Sequence, residues 1–507
     1  MAENGATTSG QLRTHNSVRL LRAVHDGAAA KTRAQLTREL GLARGTASVL
    51  VSGLTEDFLL HEEPTAEHAR GRPTMVPGPH PRGPVALAAD VREDAWELVA
   101  CELGGRVTVL ETRPHDGTPQ DALATLGTAL RTHATRYAGR VIGVGVAVAG
   151  PVRPDGRVDV PHLRWRSVDV PTLLASQPPH PGEAQDAPVD GTPPHQPGEK
   201  QTALHPSVTP ERTDTPHARP GGTPGGPGEK QAAPLPSVTP ERADTPHAPS
   251  RGAPGGAGEK QAAPLSSLTP EHADTPRGAV WLPGSGWVTV RVGNDTALAG
   301  LAEARRGRLR GVRVGLHLHV DFDLGGVLVV GGRPLGGTSG SGAEFGHMPL
   351  TGGDAPCMCG ARGCWSLDVG VNALLRQLGL EYGGGRGRDR AGEILARAQE
   401  GDARAREAVL AGARALGRGI AALVNAHDPE VVTLSGLGVE LAERAGAELA
   451  GACEPGLMTI RRECPPPIAP SELGGRGALL GAMEAVFDEF LTPAGLTAWQ
   501  RTTRPET

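Results

Sequence analysis

The sequence predicts an α/β chain in two parts, a small helical head and a larger two-lobed body, with a long disordered insertion breaking the body. Four observations lead there. Residues 1–82 read as helices closed by a polar hairpin. From residue 83, apolar runs of strand length (85–89, 98–103, 141–148) flank a helical stretch at 122–137. Beyond the insertion, strands at 312–320 and 327–330 precede helices at 391–399, 403–424 and 437–450, the alternation of an α/β body. Finally, residues 178–277 repeat themselves without offering a face to pack. The implied divisions are a head at 1–82, a first lobe at 83–177, the insertion at 178–277, a second lobe at 278–490 and a flexible tail at 491–507.

The insertion is defined by self-similarity. Gly198-Glu199-Lys200-Gln201 recurs at 228–231 and at 258–261. Each copy leads into a near-repeat: Ser207-Val208-Thr209-Pro210-Glu211, then Ser237-Val238-Thr239-Pro240-Glu241, then Ser267-Leu268-Thr269-Pro270-Glu271. Stacked repeats need an apolar face, and these units offer one or two aliphatic residues among prolines and glycines. No aromatic residue lies between Trp165 and Trp281. A disordered, tandemly duplicated segment is therefore expected.

At 507 residues the chain has room for three or four domains of ~150 residues. A net charge of -5 excludes a globally basic nucleic-acid coat, though not a local DNA-reading patch. No apolar run approaches the ~20 residues of a membrane span, and no signal-like apolar segment follows Met1. A cytoplasmic location with no membrane partner is expected. Six cysteines in so long a chain do not make a disulfide framework, and three crowd together, which points to metal.

In the head, Thr32 and Gln35 fit a capping box. Leu36 and Leu40 share a face of the short helix that follows, Gly41-Leu42-Ala43 turns the chain, and a second helix runs over 44–55. Ala47, Leu50 and Leu54 fall on its inner face, and Leu20, Leu21 and Val24 supply an earlier helix that completes a three-helix core. The outer face shows Arg44, Thr46, Ser48 and Ser52, groups suited to a major-groove surface. After Phe58-Leu59-Leu60, a charged, turn-rich stretch ends in Arg70-Gly71-Arg72-Pro73, which reads as a wing bringing Arg70 and Arg72 to the DNA backbone or minor groove. The whole is a winged helix-turn-helix. A helical protein-interaction domain is the alternative.

Cys357, Cys359 and Cys364 lie within eight residues, among glycines that permit a tight loop, with His347 ten residues upstream. Three thiolates and an imidazole complete a closed tetrahedral shell, so a structural zinc, one per chain, is expected. Buried free cysteines or a redox pair are the alternatives, and neither accounts for His347. Cys101, Cys453 and Cys464 stand alone.

Together these features resemble the ROK family (repressor, open reading frame, kinase), and specifically its repressor branch, in which a winged helix-turn-helix precedes a sugar-kinase-like body of actin/hexokinase fold. The resemblance covers all but the insertion and the tails. It implies that Asn294 and Asp295 are the family's Asn-Asp motif, Asp295 being the kinase base and Asn294 a sugar contact. It also implies that Glu344 and His347 contact the sugar, that His347 with Cys357, Cys359 and Cys364 is the zinc motif, that Gly150-Pro151 lies beside the sugar, and that Ala478-Leu479-Leu480-Gly481 opens the closing helix.

The departures are equally informative. The family's kinases open with a small-residue Asp-x-Gly-Gly-Thr phosphate loop, whereas Asp90-Val91-Arg92-Glu93-Asp94 stands here. Their second loop, Gly-Thr-Gly-Ile-Gly, is replaced by Asp321-Phe322-Asp323-Leu324-Gly325. Carboxylates in both loops should repel a nucleotide. A family glutamate is Ser366, and a family asparagine is replaced by His162. The expectation is thus a repressor-type regulator with a catalytically silent body, not an enzyme. It would bind a double-stranded DNA operator and a small-molecule effector, a sugar or sugar derivative, as a homodimer or homotetramer. A sugar kinase with an accessory DNA domain, and a ligand-independent DNA-binding scaffold, are the alternatives. Deleting 178–277 should leave a folded, DNA-binding protein, because closure entropy grows only by ~0.6 kcal/mol per doubling of a loop. Aggregation of the deletion variant, or melting far below the parent, would refute that.

Overall fold

The computed structural model describes residues 9–64, 74–153, 155–176, 278–338, 342–383, 385 and 387–503. The expected insertion and the tip of the wing, with Arg70 and Arg72, lie outside the described residues.

The head holds three helices, α1 (Ser9–Asp26), α2 (Arg33–Glu39) and α3 (Arg44–Glu56), followed by an antiparallel pair, β1 (Leu60–Pro64) and β2 (Met75–Pro79). The Thr32 hydroxyl accepts from Gln35 N–H and the Gln35 side chain accepts from Thr32 N–H, completing the capping box. Gly41 takes a left-handed φ of 64° in the turn to α3, a conformation that suits glycine. Leu20, Leu21, Val24, Leu36, Ala47, Leu50 and Leu54 are buried, as the apolar spacing requires. This is the winged helix-turn-helix.

Each lobe of the body is built on a mixed sheet. The first begins with β3 (Val85–Val91), β4 (Ala95–Glu102) and β5 (Val107–Pro114), then α4 (Pro119–Ala134) and β6 (Val141–Val148). A small hairpin of β7 (Arg157–Val160) and β8 (Trp165–Asp169) leads to α5 (Val170–Ala175). After the insertion come β9 (Ala279–Leu282) and β10 (Gly286–Asn294), and the strand order is β5-β4-β3-β6-β10-β9. Helix α5 packs on β9, so the two ends of the insertion are anchored close together.

Helix α6 (Asp295–Arg306) carries the chain to the second lobe, with β11 (Val314–Val320), β12 (Leu324–Val330), β13 (Arg333–Pro334), α7 (Val371–Gln377), α8 (Arg388–Gln399), α9 (Ala403–His427) and β14 (Val431–Gly436). Then follow α10 (Leu437–Arg444), α11 (Gly446–Cys453), α12 (Thr459–Glu463), β15 (Ile468–Pro470), α13 (Gly477–Phe490) and α14 (Pro493–Thr503). The order β13-β12-β11-β14-β15 repeats the first lobe's plan of an antiparallel meander extended by parallel strands.

Three expectations are corrected. The second lobe does not begin at 278: β9 and β10 complete the first sheet, and α13 covers β3 and β6. The helix expected over 437–450 is two, α10 and α11, parted at Ala445. Residues 493–503 are not a flexible tail but helix α14, which buries Leu496 and Trp499.

That last helix explains how the head is held. Leu20, Leu21, Val24, Leu50 and Leu54 share one apolar cluster with Ala86, Met483, Phe487, Phe490 and Trp499, so head and body have a common core. Trp499 Nε1 donates to the carbonyl of Asp57, and Gln500 Nε2 to its carboxylate. Deeper in, His25 and Glu484, each 1% exposed, meet at 3.2 Å, and Arg306 Nε donates to the other Glu484 oxygen at 2.5 Å. Burial alone would raise the Glu484 carboxyl, but its contacts with His25 and Arg306 outweigh it and hold the group at about 2.

Trp499→Ala should cost about 3–5 kcal/mol in denaturant unfolding, the usual loss for a buried tryptophan. The Glu484 contribution should be complete above the ordinary 4.5 of a glutamate and fade as pH falls toward 2. A pH scan of melting temperature should show that acid limb in the parent and a flatter one in Glu484→Gln.

Candidate ligand cleft and metal centre

A cleft of about 470 Å³ opens where the carboxyl ends of β3, β6, β10, β11 and β14 face one another between the lobes. Ligands of open α/β sheets bind at such strand ends. Asn294, the last residue of β10, caps α6: its Oδ1 accepts from Ala297 N–H at 2.9 Å, and its Nδ2 donates to the Gly150 carbonyl at 3.2 Å. Gly150 is required at that approach, because a Cβ there would lie 2.2 Å from the Asp159 carbonyl oxygen. With Asn294 as the cap, Asp295 is left to face the cleft, held by Thr296 N–H at 2.6 Å.

Glu344, His347, His162 and Ser366 line the same cleft. Ser366 is buried and donates to the Leu324 carbonyl at 3.3 Å, which ties it to the second sheet. Burial, reinforced by the charge of Asp295, pushes the Glu344 carboxyl up to about 7. Asp295 is also raised by burial, against the pull of His319 and the Thr296 hydrogen bonds. Asp90 is pushed by burial to about 6 despite Arg92. Crowding of carboxyls in one partly dry space explains all three.

The two turns compared with phosphate loops face each other here, and one expectation about them is corrected. Asp321 and Asp323 do not stand free to repel. Asp323 pairs with His162 of the opposite lobe and accepts from Asn372 Nδ2 at 3.3 Å. Asp321 pairs with Arg388 of α8, whose guanidinium also lies 5.5 Å from the centre of the Phe322 ring and 4.0 Å from Asp94 across the cleft. Burial works against a charged His162, yet Asp323, with Glu93 behind it, carries its pKa up to about 9. Glu93 itself is raised by burial to about 7. Gly385 lies so close to Glu93 that a Cβ would meet its carbonyl oxygen at 2.6 Å. The space between the two turns thus holds ion pairs, of which His162 with Asp323 and Arg388 with Asp94 cross between the lobes. Sequence reasoning missed Arg388 and His319, because neither lies in a motif and only the packing of α8 and β11 brings them to the cleft.

Against the cleft wall, His347, Cys357, Cys359 and Cys364 gather with their ligand atoms all within 4.8 Å of one another. A tetrahedral ion with metal–sulfur bonds of about 2.3 Å sets sulfur–sulfur edges near 3.8 Å. Cys359 Sγ and Cys364 Sγ are 3.7 Å apart, and Cys357 Sγ is 3.7 Å from His347 Nδ1. The donor set fits such an ion. No other group of this kind occurs among the described residues.

On the head, Arg44, Thr46, Ser48 and Ser52 are all exposed along one side of α3, with Val49 among them.

Residues 286–489 match the ROK family, a span that runs from β10 through the cleft, the metal cluster and α13. The chain carries a ROK family domain. Kanosamine kinase of Amycolatopsis mediterranei is 30% identical over 195 residues, 38% of this chain and 60% of that protein. The xylose repressor of Bacillus subtilis is 24% identical over 193 residues, 35% of this chain and 44% of the repressor. The chain therefore spans only about half the length of these curated relatives. A solved ROK family transcriptional regulator, a homologue of the Escherichia coli MLC protein, superposes with a TM-score of 0.58 over 96% of this chain and 99% of its own. At 18% identity that likeness establishes the fold: a winged head on a ROK hexokinase-like body. No helix among the described residues is long and apolar enough to cross a membrane.

Proposed function

We propose that this chain is a cytoplasmic DNA-binding transcriptional regulator, a repressor, whose ROK body senses a sugar or sugar derivative without phosphorylating it. The observation that carries the reading is the set of ion pairs filling the two facing turns, His162 with Asp323 and Arg388 with Asp321. A nucleotide phosphate would have to displace them and sit among Glu93, Asp94, Asp321 and Asp323. The polar α3 face is the element that enters the major groove, with Arg44 as base contact and Thr46, Ser48 and Ser52 beside it, and Arg70 and Arg72 complete the contact from the wing. A single recognition helix per chain suits a homodimer on paired half-sites.

The cleft holds the effector, with Asn294, Asp295, Glu344, His347, Gly150 and His162 around it. His347, Cys357, Cys359 and Cys364 hold one structural zinc, which has four protein ligands and no open position for chemistry. Its work is to pin the loop that carries Glu344 and His347 against the cleft. The competing reading, a sugar kinase, has Asp295 and the kanosamine kinase likeness in its favour.

Protein purified without chelator should contain about one zinc per chain, and Cys359→Ser should lose both the metal and thermal stability. Elemental analysis finding none would refute the assignment. Arg44→Ala should weaken specific operator binding by about 1–3 kcal/mol, while Arg70→Ala with Arg72→Ala should weaken binding evenly across sequences. A coupled assay with glucose, mannose, N-acetylglucosamine and xylose should show no ATP turnover. Turnover on any of them, or magnesium-dependent ATP binding at micromolar affinity, would restore the kinase.

A further inference from the structure

The second sheet carries a line of polar side chains that the reading above does not use. Strands β11 and β14 are parallel neighbours, with His317 opposite Thr433 and His319 opposite Ser435. Thr433 Oγ1 lies 3.3 Å from the Leu316 carbonyl oxygen, and a carbonyl only accepts, so the hydroxyl proton is committed there. Oγ1 must then accept from His317 Nδ1, at 2.9 Å. With its proton on Nδ1, His317 offers Nε2 as an acceptor to the Ser435 hydroxyl at 3.3 Å. Ser435 Oγ, its own proton given away, accepts in turn from His319 Nδ1 at 2.8 Å.

Four hydrogen bonds therefore run in one direction through the sheet. Thr433, Ser435 and His317 are buried, so each bond replaces one to water that none of them could otherwise make. Burial pushes His317 down to about 3, which keeps its ring at the single proton that the chain requires. The line ends at His319 Nε2, which lines the cleft near Asp295 and Asp90 and has no protein partner among the described residues. A nitrogen so placed is an acceptor whose proton has been fixed on the far side of the ring.

We propose that His319 is a ligand-reading residue whose Nε2 accepts a hydrogen bond from a hydroxyl of a polyhydroxylated ligand without an anionic group, with Thr433, His317 and Ser435 as positioning residues that set its tautomer and ring plane. The inference rests on the sensor reading of the cleft and deepens it. The ligand carries no anionic group, because Asp90, Asp295 and Glu93 line the same space and such a group would meet carboxylates at short range. A hydroxyl is the group that donates to Nε2 and can also pair with a neighbouring carboxyl in either protonation state.

Two measurements on the full chain test this. Long-range proton–nitrogen spectra of protein labelled in histidine nitrogen, assigned with His319→Leu, should show His319 protonated at Nδ1 and bare at Nε2. Thr433→Val should shift that pattern. Calorimetry with glucose, mannose, N-acetylglucosamine, xylose and glucose 6-phosphate should find an uncharged sugar that binds, and the phosphate ester should bind far more weakly. His319→Leu, checked by melting temperature to be folded, should bind that sugar about tenfold more weakly, the loss of one well-placed hydrogen bond. His319→Gln keeps an acceptor at the cleft end and should stay within a few-fold. An Nε2–H form of His319, or equal affinity in His319→Leu, would overturn the inference alone. A parent protein that binds none of the sugars would overturn the sensor reading and the inference together.

Discussion

Glu484 lies where no water reaches it, and its charge is tolerable only because His25 of α1 and Arg306 of α6 enclose it together. Removing one partner of such a buried set commonly costs 3–5 kcal/mol, since the remaining charge is stranded. The three residues come from the winged head, the helix leaving the cleft and the helix closing the first lobe. Arg306 also donates to the carbonyls of His25 and Gly104, and Gly104 N–H donates to His25 Nδ1, so the head is tied to the first sheet as well. Any movement of α6 must therefore move the head or break this cluster.

Helix α6 gives that constraint its functional meaning. It begins at Asp295, in the cleft, and ends at Arg305 and Arg306, against the head, about 18 Å away at 1.5 Å per residue. Arg305 meets Asp488, which also receives Arg22 of α1, so two acids of α13 are shared between the same two helices. On the proposed function, a ligand at Asp295 and DNA at α3 would both act through α6, and coupling between them would run in both directions.

The cleft shows how acidic residues can sit opposite each other without driving the lobes apart. The acids of the two facing turns are bridged by cations that reach across, His162 from the first lobe and Arg388 from the second. Once paired, these acids become contacts within the second lobe and between the lobes. Local reading of Asp321-Phe322-Asp323 saw only the charge of the turn. Arg388 is 67 positions from Asp321 and belongs to a different helix, so the neutralising partner was invisible along the chain.

The sequence by itself determined the elements whose causes are local. The Thr32–Gln35 capping box, the Gly41 turn, the inward spacing of Ala47, Leu50 and Leu54, and the tight cysteine loop with His347 all depend on residues within 17 positions of each other. Each stands where the spacing put it. Tertiary structure alone decided the rest. It assigned β9, β10 and α13 to the first lobe, because which sheet a strand joins depends on crossovers that hydrophobic periodicity does not encode. It turned 493–503 into a helix, because Leu496 and Trp499 gain their stability from the head's core rather than from their neighbours. It also aligned His319, Ser435, His317 and Thr433 into one hydrogen-bonded line, because residues some 116 positions apart become adjacent only when β11 and β14 pair in a single register.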